Sequence, residues 1–242
     1  MTQNFEIIEP GKHHDMLVSI DRGAAAGENI MFAPALLSET RILQSIYPLF
    51  FRRDQNSDHY FLVALFGFRP QQNLFIVDGS WEQKRLPVSL AREPFLIAQT
   101  EDKIGQQFLV SINKDHAKSD TPHGERIFTS DGKPTPFLEE KIGYLRQVHA
   151  DQPRMRELSQ ILHDNKMMSP VKLESPSLSG HLREFQGFYA IDEDALAGLP
   201  QEIIATLHEK GFLESIYMIL ASLNKLDELM RILEKNKEHL QQ

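Results

Sequence analysis

His13-His14-Asp15 is the first stretch of the chain whose residue types and spacing could do chemistry. An H-x-D pair supplies two of the three ligands of a two-histidine-one-carboxylate iron site, and His116, His123 or His181 could supply the third. Here the pair follows a single short strand, whereas such a site needs a sheet already laid down around it. Solvated polar residues are the simpler reading of His13 and Asp15, and neither a metal nor another cofactor is expected. No other histidines stand four apart, and no H-E-x-x-H occurs. The small-residue run Gly23–Gly27 lacks both the G-x-G-x-x-G glycines and a following Lys-Ser/Thr, so it does not read as a phosphate cradle. No G-x-S-x-G marks a nucleophilic serine, and Ser-Leu-Ser-Gly at 177–180 lacks the leading glycine. With no cysteine in the chain, thiolate metal sites, disulfides and a cysteine nucleophile are excluded. The acids Glu139-Glu140 and Asp192–Asp194 read as charges at helix N-termini, where the dipole favours them. No catalytic residue emerges.

Binding residues are a better prospect. The only tryptophan, Trp81, lies in a proline-rich stretch closed by Arg92, Pro94 and Phe95. A guanidinium can stack on an indole or hold a carboxylate with two hydrogen bonds. Trp81, Arg92 and Phe95 are therefore expected to meet at one partly buried site, either a loop pinned to the core or a peptide cleft. Three aromatic runs, 47–51, 60–68 and 185–189, read as sheet core, with Tyr189 as a further candidate for ligand contact. At the C-terminus Phe212, Ile219, Leu226, Leu233 and Leu240 recur every seven residues. That spacing predicts one long amphipathic helix from about Phe212 to Glu238. Its late residues Leu229, Met230, Leu233 and Leu240 are candidates for a partner or homodimer seam.

These residues need a scaffold, and the chain can build one. Its 242 residues are 41% hydrophobic and 25% charged, which is the balance of a globular protein with a substantial core. The net charge of −8, with no basic cluster, argues against a nucleic-acid partner. No apolar run reaches membrane-spanning length, and the acidic N-terminal stretch does not resemble a signal peptide, so a cytoplasmic protein is expected. Residues 1–130 read mainly as strands. The clearest are Leu49–Arg52, Tyr60–Phe68, Asn73–Val77, and the hairpin Phe95–Ala98 with Gln107–Ile112. A helix is expected within Leu37–Tyr47, capped by Ser38. From Thr135-Pro136, a strong helix start, helices dominate. Returning strands are expected near 168–174 and 185–191, and Gly211 is expected to stop a helix. The fold class is α+β, mostly antiparallel sheet in the N-terminal two-thirds, with helices packed on it. One domain over 1–242 is expected, with a seam near 114–124.

Four stretches together resemble one known family. They are Trp81-x-x-x-x-Leu86-Pro87-x-x-Leu90-x-Arg92-x-Pro94-Phe95; Gly124–Phe128 with Asp131–Glu139; Gly187–Glu193 with Leu196 and Leu199-Pro200; and Gly211-Phe212-Leu213-x-x-Ile216-Tyr217-x-x-Leu220-x-Ser222-Leu223. The pattern is similar to that of the SapC family and covers nearly the whole chain. Leu86 and Ala91 depart from it, where the family often carries an aromatic and a basic residue. The resemblance implies an association with surface-layer protein secretion, and neighbours such as TonB-dependent receptors and peptide-tailoring enzymes. It implies no catalytic residues. The expected function is a non-enzymatic accessory protein that binds a peptide or protein. The alternative is an enzyme of unrecognised type, for instance a metal-dependent oxygenase using His13 and Asp15.

Overall fold

The computed structural model describes residues 4–54, 57, 59–83, 85–102, 105–114, 123–176 and 182–239. In chain order the first elements are β1 (Phe5–Ile7), α1 (Pro10–His13), β2 (Leu17–Ser19), β3 (Phe32–Pro34), a 3₁₀ turn (Leu37–Glu39) leading into α2 (Thr40–Leu43), β4 (Leu49–Arg53) and β5 (Tyr60–Leu65). There follow β6 (Ile76–Val77), β7 (Ser80–Trp81), α3 (Val88–Ala91), β8 (Phe95–Asp102), β9 (Gly105–Asn113) and β10 (Gly124–Arg126). The remainder is α4 (Pro136–Asp164), β11 (Met168–Pro176), β12 (Leu182–Ile191), α5 (Glu193–Ala197), α6 (Gln201–Glu209), α7 (Phe212–Ser222) and α8 (Lys225–His239). The fold is α+β.

Among the described residues every strand pairing is antiparallel. The larger sheet has the order β11-β12-β4-β5-β3, so the late hairpin joins the early strands through Phe188↔Arg52 and Tyr189↔Phe51. Its apolar strands meet α4, α6, α7 and α8 in one cluster that includes Phe50, Phe51, Leu62, Leu207, Phe212 and Ile219. A three-stranded sheet, β1-β9-β8, backs a smaller cluster of Val18, Phe95, Ile112, Ile127, Phe128, Leu138 and Leu145. Helix α4 belongs to both. Its 29 residues span roughly 44 Å. Leu138 and Leu145 enter the small cluster near one end, and Leu158 and Leu162 the large cluster near the other.

Thr135 caps α4, accepting the Leu138 N–H, with Pro136 in the first turn. Pro153 does not end the helix, because its apolar residues are committed to packing on both sides of the proline. Gly211, at φ 70°, stops α6 in the left-handed conformation.

Three expectations need correction. The C-terminal region is two helices, broken at Leu223-Asn224. The Ser222 hydroxyl donates to the Ile219 carbonyl and accepts the Leu49 N–H at 2.9 Å, so it serves β4 as well as its own helix. Helical structure after Leu37 ends at Leu43, and its start is held by Glu39 and Asp151 instead of Ser38. The strand expected over 73–77 shrinks to Ile76–Val77, because Leu74 and Phe75 are buried as loop residues. Most of the 114–124 seam lies outside the described residues, as do His116, His181 and Leu240.

Candidate functional site

The register of the small sheet decides which side chains are free. Phe95↔Ile112 and Ile97↔Val110 place those residues on the side facing α4. Alternation then puts Phe5, Ile7, Leu96, Ala98, Ser111 and Asn113 on the other side. That outer side forms a groove of about 600 Å³. Phe5 and Ile7 remain 38% and 36% exposed, unlike most large apolar residues of the chain. Among the described residues β8 pairs only with β9, so its other edge offers backbone N–H and C=O groups beside the groove.

Arg92, Glu93 and Pro94 close the groove where β8 begins. The Arg92 guanidinium donates to the Phe95 carbonyl at 2.7 Å, which fixes it at the mouth of the strand. Burial lowers its pKa, an effect opposed by the neighbouring Glu93. Five N–H donors in a planar fork leave capacity for a carboxylate after that bond.

Arg92 and Phe95 therefore adjoin, but Phe95 is wholly buried and only its carbonyl takes part. Trp81 is elsewhere. Its ring packs edge-on to Phe66 at 5.1 Å within the large cluster, beside Tyr47 and Phe75. No ring contact joins it to Arg92 among the described residues. Among the described residues its buried Nε1 has no hydrogen-bond partner within normal geometry. Phe66 reaches Trp81 from just beyond the end of β5, which spacing within 81–95 could not reveal.

Tyr189 lies on the large sheet, edge-on to Tyr60 at 5.1 Å, in a different region from Arg92. Leu229 and Leu233 are buried in the chain's own core and Met230 packs against it, so these three do not form a free seam. His13 and Asp15 turn to separate partners. The buried His13 ring accepts the Glu9 N–H through Nδ1, with Nε2 3.5 Å from Glu6. Exposed Asp15 pairs with His14 at 2.7 Å and Arg126 at 3.0 Å. Among the described residues no cluster of three or more His, Asp or Glu is placed to hold a metal.

A family model described as SapC matches residues 8–229. The chain belongs to the SapC family. No curated protein and no solved structure matches it. No helix among the described residues of this SapC-family chain is long and apolar enough to cross a membrane.

Two groups of polar residues were not singled out in the sequence. Glu39 accepts Leu36 N–H at 2.9 Å and Val88 N–H at 2.9 Å, linking the 3₁₀ turn to α3. Burial pushes its carboxyl up to about 7 against those bonds, with the charge of Asp151 adding to the rise. Arg22, Glu28 and Lys141 gather around the end of α3. A charged residue at an apolar position of α4, Lys141 between Leu138 and Leu145, was the available signal for the second group.

Proposed function

We propose that this SapC-family protein is a non-enzymatic, single-domain accessory protein of the cytoplasm. In this reading it binds an extended segment of a peptide or protein along the outer side of β1-β9-β8. The observation that carries the reading is an exposed apolar sheet face joined to an open strand edge. A segment added to the edge of β8 satisfies backbone groups, while its alternate side chains meet Leu96 and Ala98. Phe5 and Ile7 supply the apolar contact. Fully burying such a side chain contributes about 1.5–3 kcal/mol, so covering the exposed third of each adds about 0.5–1 kcal/mol apiece. Arg92 suits a carboxylate at one end. The segment would come from an exported protein or from a substrate of peptide-tailoring enzymes, the setting the family resemblance suggests.

The test is binding of a fluorescent panel of extended peptides with alternating aliphatic residues, free or amidated at the C-terminus. Wild type should bind a subset, Ile7→Asp should lose it, and Arg92→Gln should weaken free-carboxylate peptides most. Equal binding by wild type and Ile7→Asp, with unchanged melting, would reject the groove.

A further inference from the structure

A second cleft, of about 700 Å³, lies between β2, β10 and the first turns of α4. Its lining includes Ile20, Arg22, Arg126, Phe137, Glu140 and Lys141. Lys141 is 7% exposed and donates to the carbonyl of Ala91. Arg22 reaches the same oxygen at 3.4 Å, and the Leu90 carbonyl at 3.2 Å. Two cations thus converge on one carbonyl at the end of α3.

The nearby buried carboxylate is already engaged. Glu28 takes Arg22 on one oxygen at 2.8 Å and the Gly23 N–H on the other at 2.6 Å. Among the described residues no carboxylate lies within ion-pair distance of Lys141. Its ammonium is instead bordered by aromatic faces, Phe137 at 5.1 Å and Tyr144 at 5.8 Å from the ring centres. Both rings come from α4 at positions four before and three after, the spacing of one helical face. On that helix the Tyr144 hydroxyl donates to Glu140 at 2.6 Å. A lysine needed only for solubility would not be buried here, and a lysine needed only as an ion-pair partner would have a carboxylate.

We propose that Lys141 is a nucleophilic amine that holds a carbonyl-bearing small molecule in this cleft as an imine. The proposal is separate from the peptide groove. The Nζ lone pair attacks the carbonyl carbon, a C–N bond forms, and the carbonyl electron pair moves to oxygen. That oxygen takes up a proton as nitrogen loses one, giving a carbinolamine. Loss of hydroxide with a further proton expels one water and leaves C=N. An aldehyde or ketone plus the lysine therefore becomes an imine plus water, with no oxidant or reductant.

The electrostatics support the amine. Desolvation lowers its pKa first and the positive charge of Arg22 second, to about 8, although Glu140 and Glu28 act the other way. Tyr144, bonded to Glu140, is raised to about 12 and stays protonated, a donor on the same helix face. Arg126 and Glu125 of β10 also line the cleft, and Arg126 is paired with Asp15.

The experiment treats the intact protein with low butanal or pyruvate from pH 6 to 10, reduces with borohydride, and maps modified lysines by peptide mass spectrometry. Lys141 should label at least tenfold faster than exposed Lys12 and Lys133 at pH 7.5, with half-maximal labelling near pH 8. Pyruvate labelling above butanal would add a carboxylate contact from Arg22 to the assignment. Lys141→Met should remove the adduct, and the wild-type map stands if that variant fails to fold. Absence of label on Lys141 while surface lysines react, or equal labelling of all of them, overturns the proposal.

Discussion

Removing the Asp151 carboxylate should destabilise the fold measurably, because it leaves a buried backbone donor without a partner. Asp151 is 4% exposed on α4, and it reaches across 114 positions of sequence to accept the Leu37 N–H at 2.8 Å. Its second oxygen accepts the Ser38 N–H at 3.1 Å. In Asp151→Ala both donors at the start of the 3₁₀ turn lose their partner. A buried donor left unsatisfied costs about 1–3 kcal/mol. Leu37 is buried and suffers that cost, whereas exposed Ser38 can turn to water. Relief of repulsion with Glu39 returns a part. The net loss is about 1–2 kcal/mol, which for a chain of this size lowers Tm by roughly 2–8 °C. Urea unfolding read by circular dichroism should show the midpoint falling with an unchanged slope. Asp151→Asn, which keeps one acceptor, should fall between. A loss below about 0.5 kcal/mol for the alanine variant would refute the idea that this carboxylate clamps α4 to the 3₁₀ turn.

Two further outcomes follow from buried groups. Because the folded protein raises the Glu39 carboxyl from its ordinary value to about 7, it favours the protonated acid. That contribution is fully present below about pH 4.5 and is lost as pH rises through 7, amounting to at most about 3 kcal/mol. Unfolding midpoints measured at pH 5 and pH 7.5 should differ less in Glu39→Gln than in wild type, and an identical difference would exclude Glu39 as its source. Leu229→Ala should cost about 2–5 kcal/mol in urea unfolding while leaving the mass in solution unchanged by light scattering, as befits a core residue. A changed mass with unchanged stability would restore Leu229 to a partner seam.

Much of the element order was legible from the sequence, because its signals act over a few residues. Thr135-Pro136 starts a helix, Gly211 stops one, and the short aromatic-rich apolar runs 60–65 and 185–191 make strands. The SapC relationship was legible for the same reason, since its motifs are contiguous runs. What the tertiary structure decided were the partners of residues far apart in sequence. The helix breaks at Leu223-Asn224 where the Ser222 hydroxyl also serves Leu49, 173 positions away. Trp81 packs on Phe66 in the large apolar cluster and not against Arg92, which no spacing within its own loop encodes. Phe5 and Ile7 share an outer face with Leu96 and Ala98 only because β9 pairs with both β1 and β8, which gives the strand alternation an inside and an outside. Lys141 is one charge among many along its helix, and only folding brings the Ala91 carbonyl and Arg22 beside it. Such meetings depend on which surfaces bury together, and a spacing rule read along the chain carries no information about that.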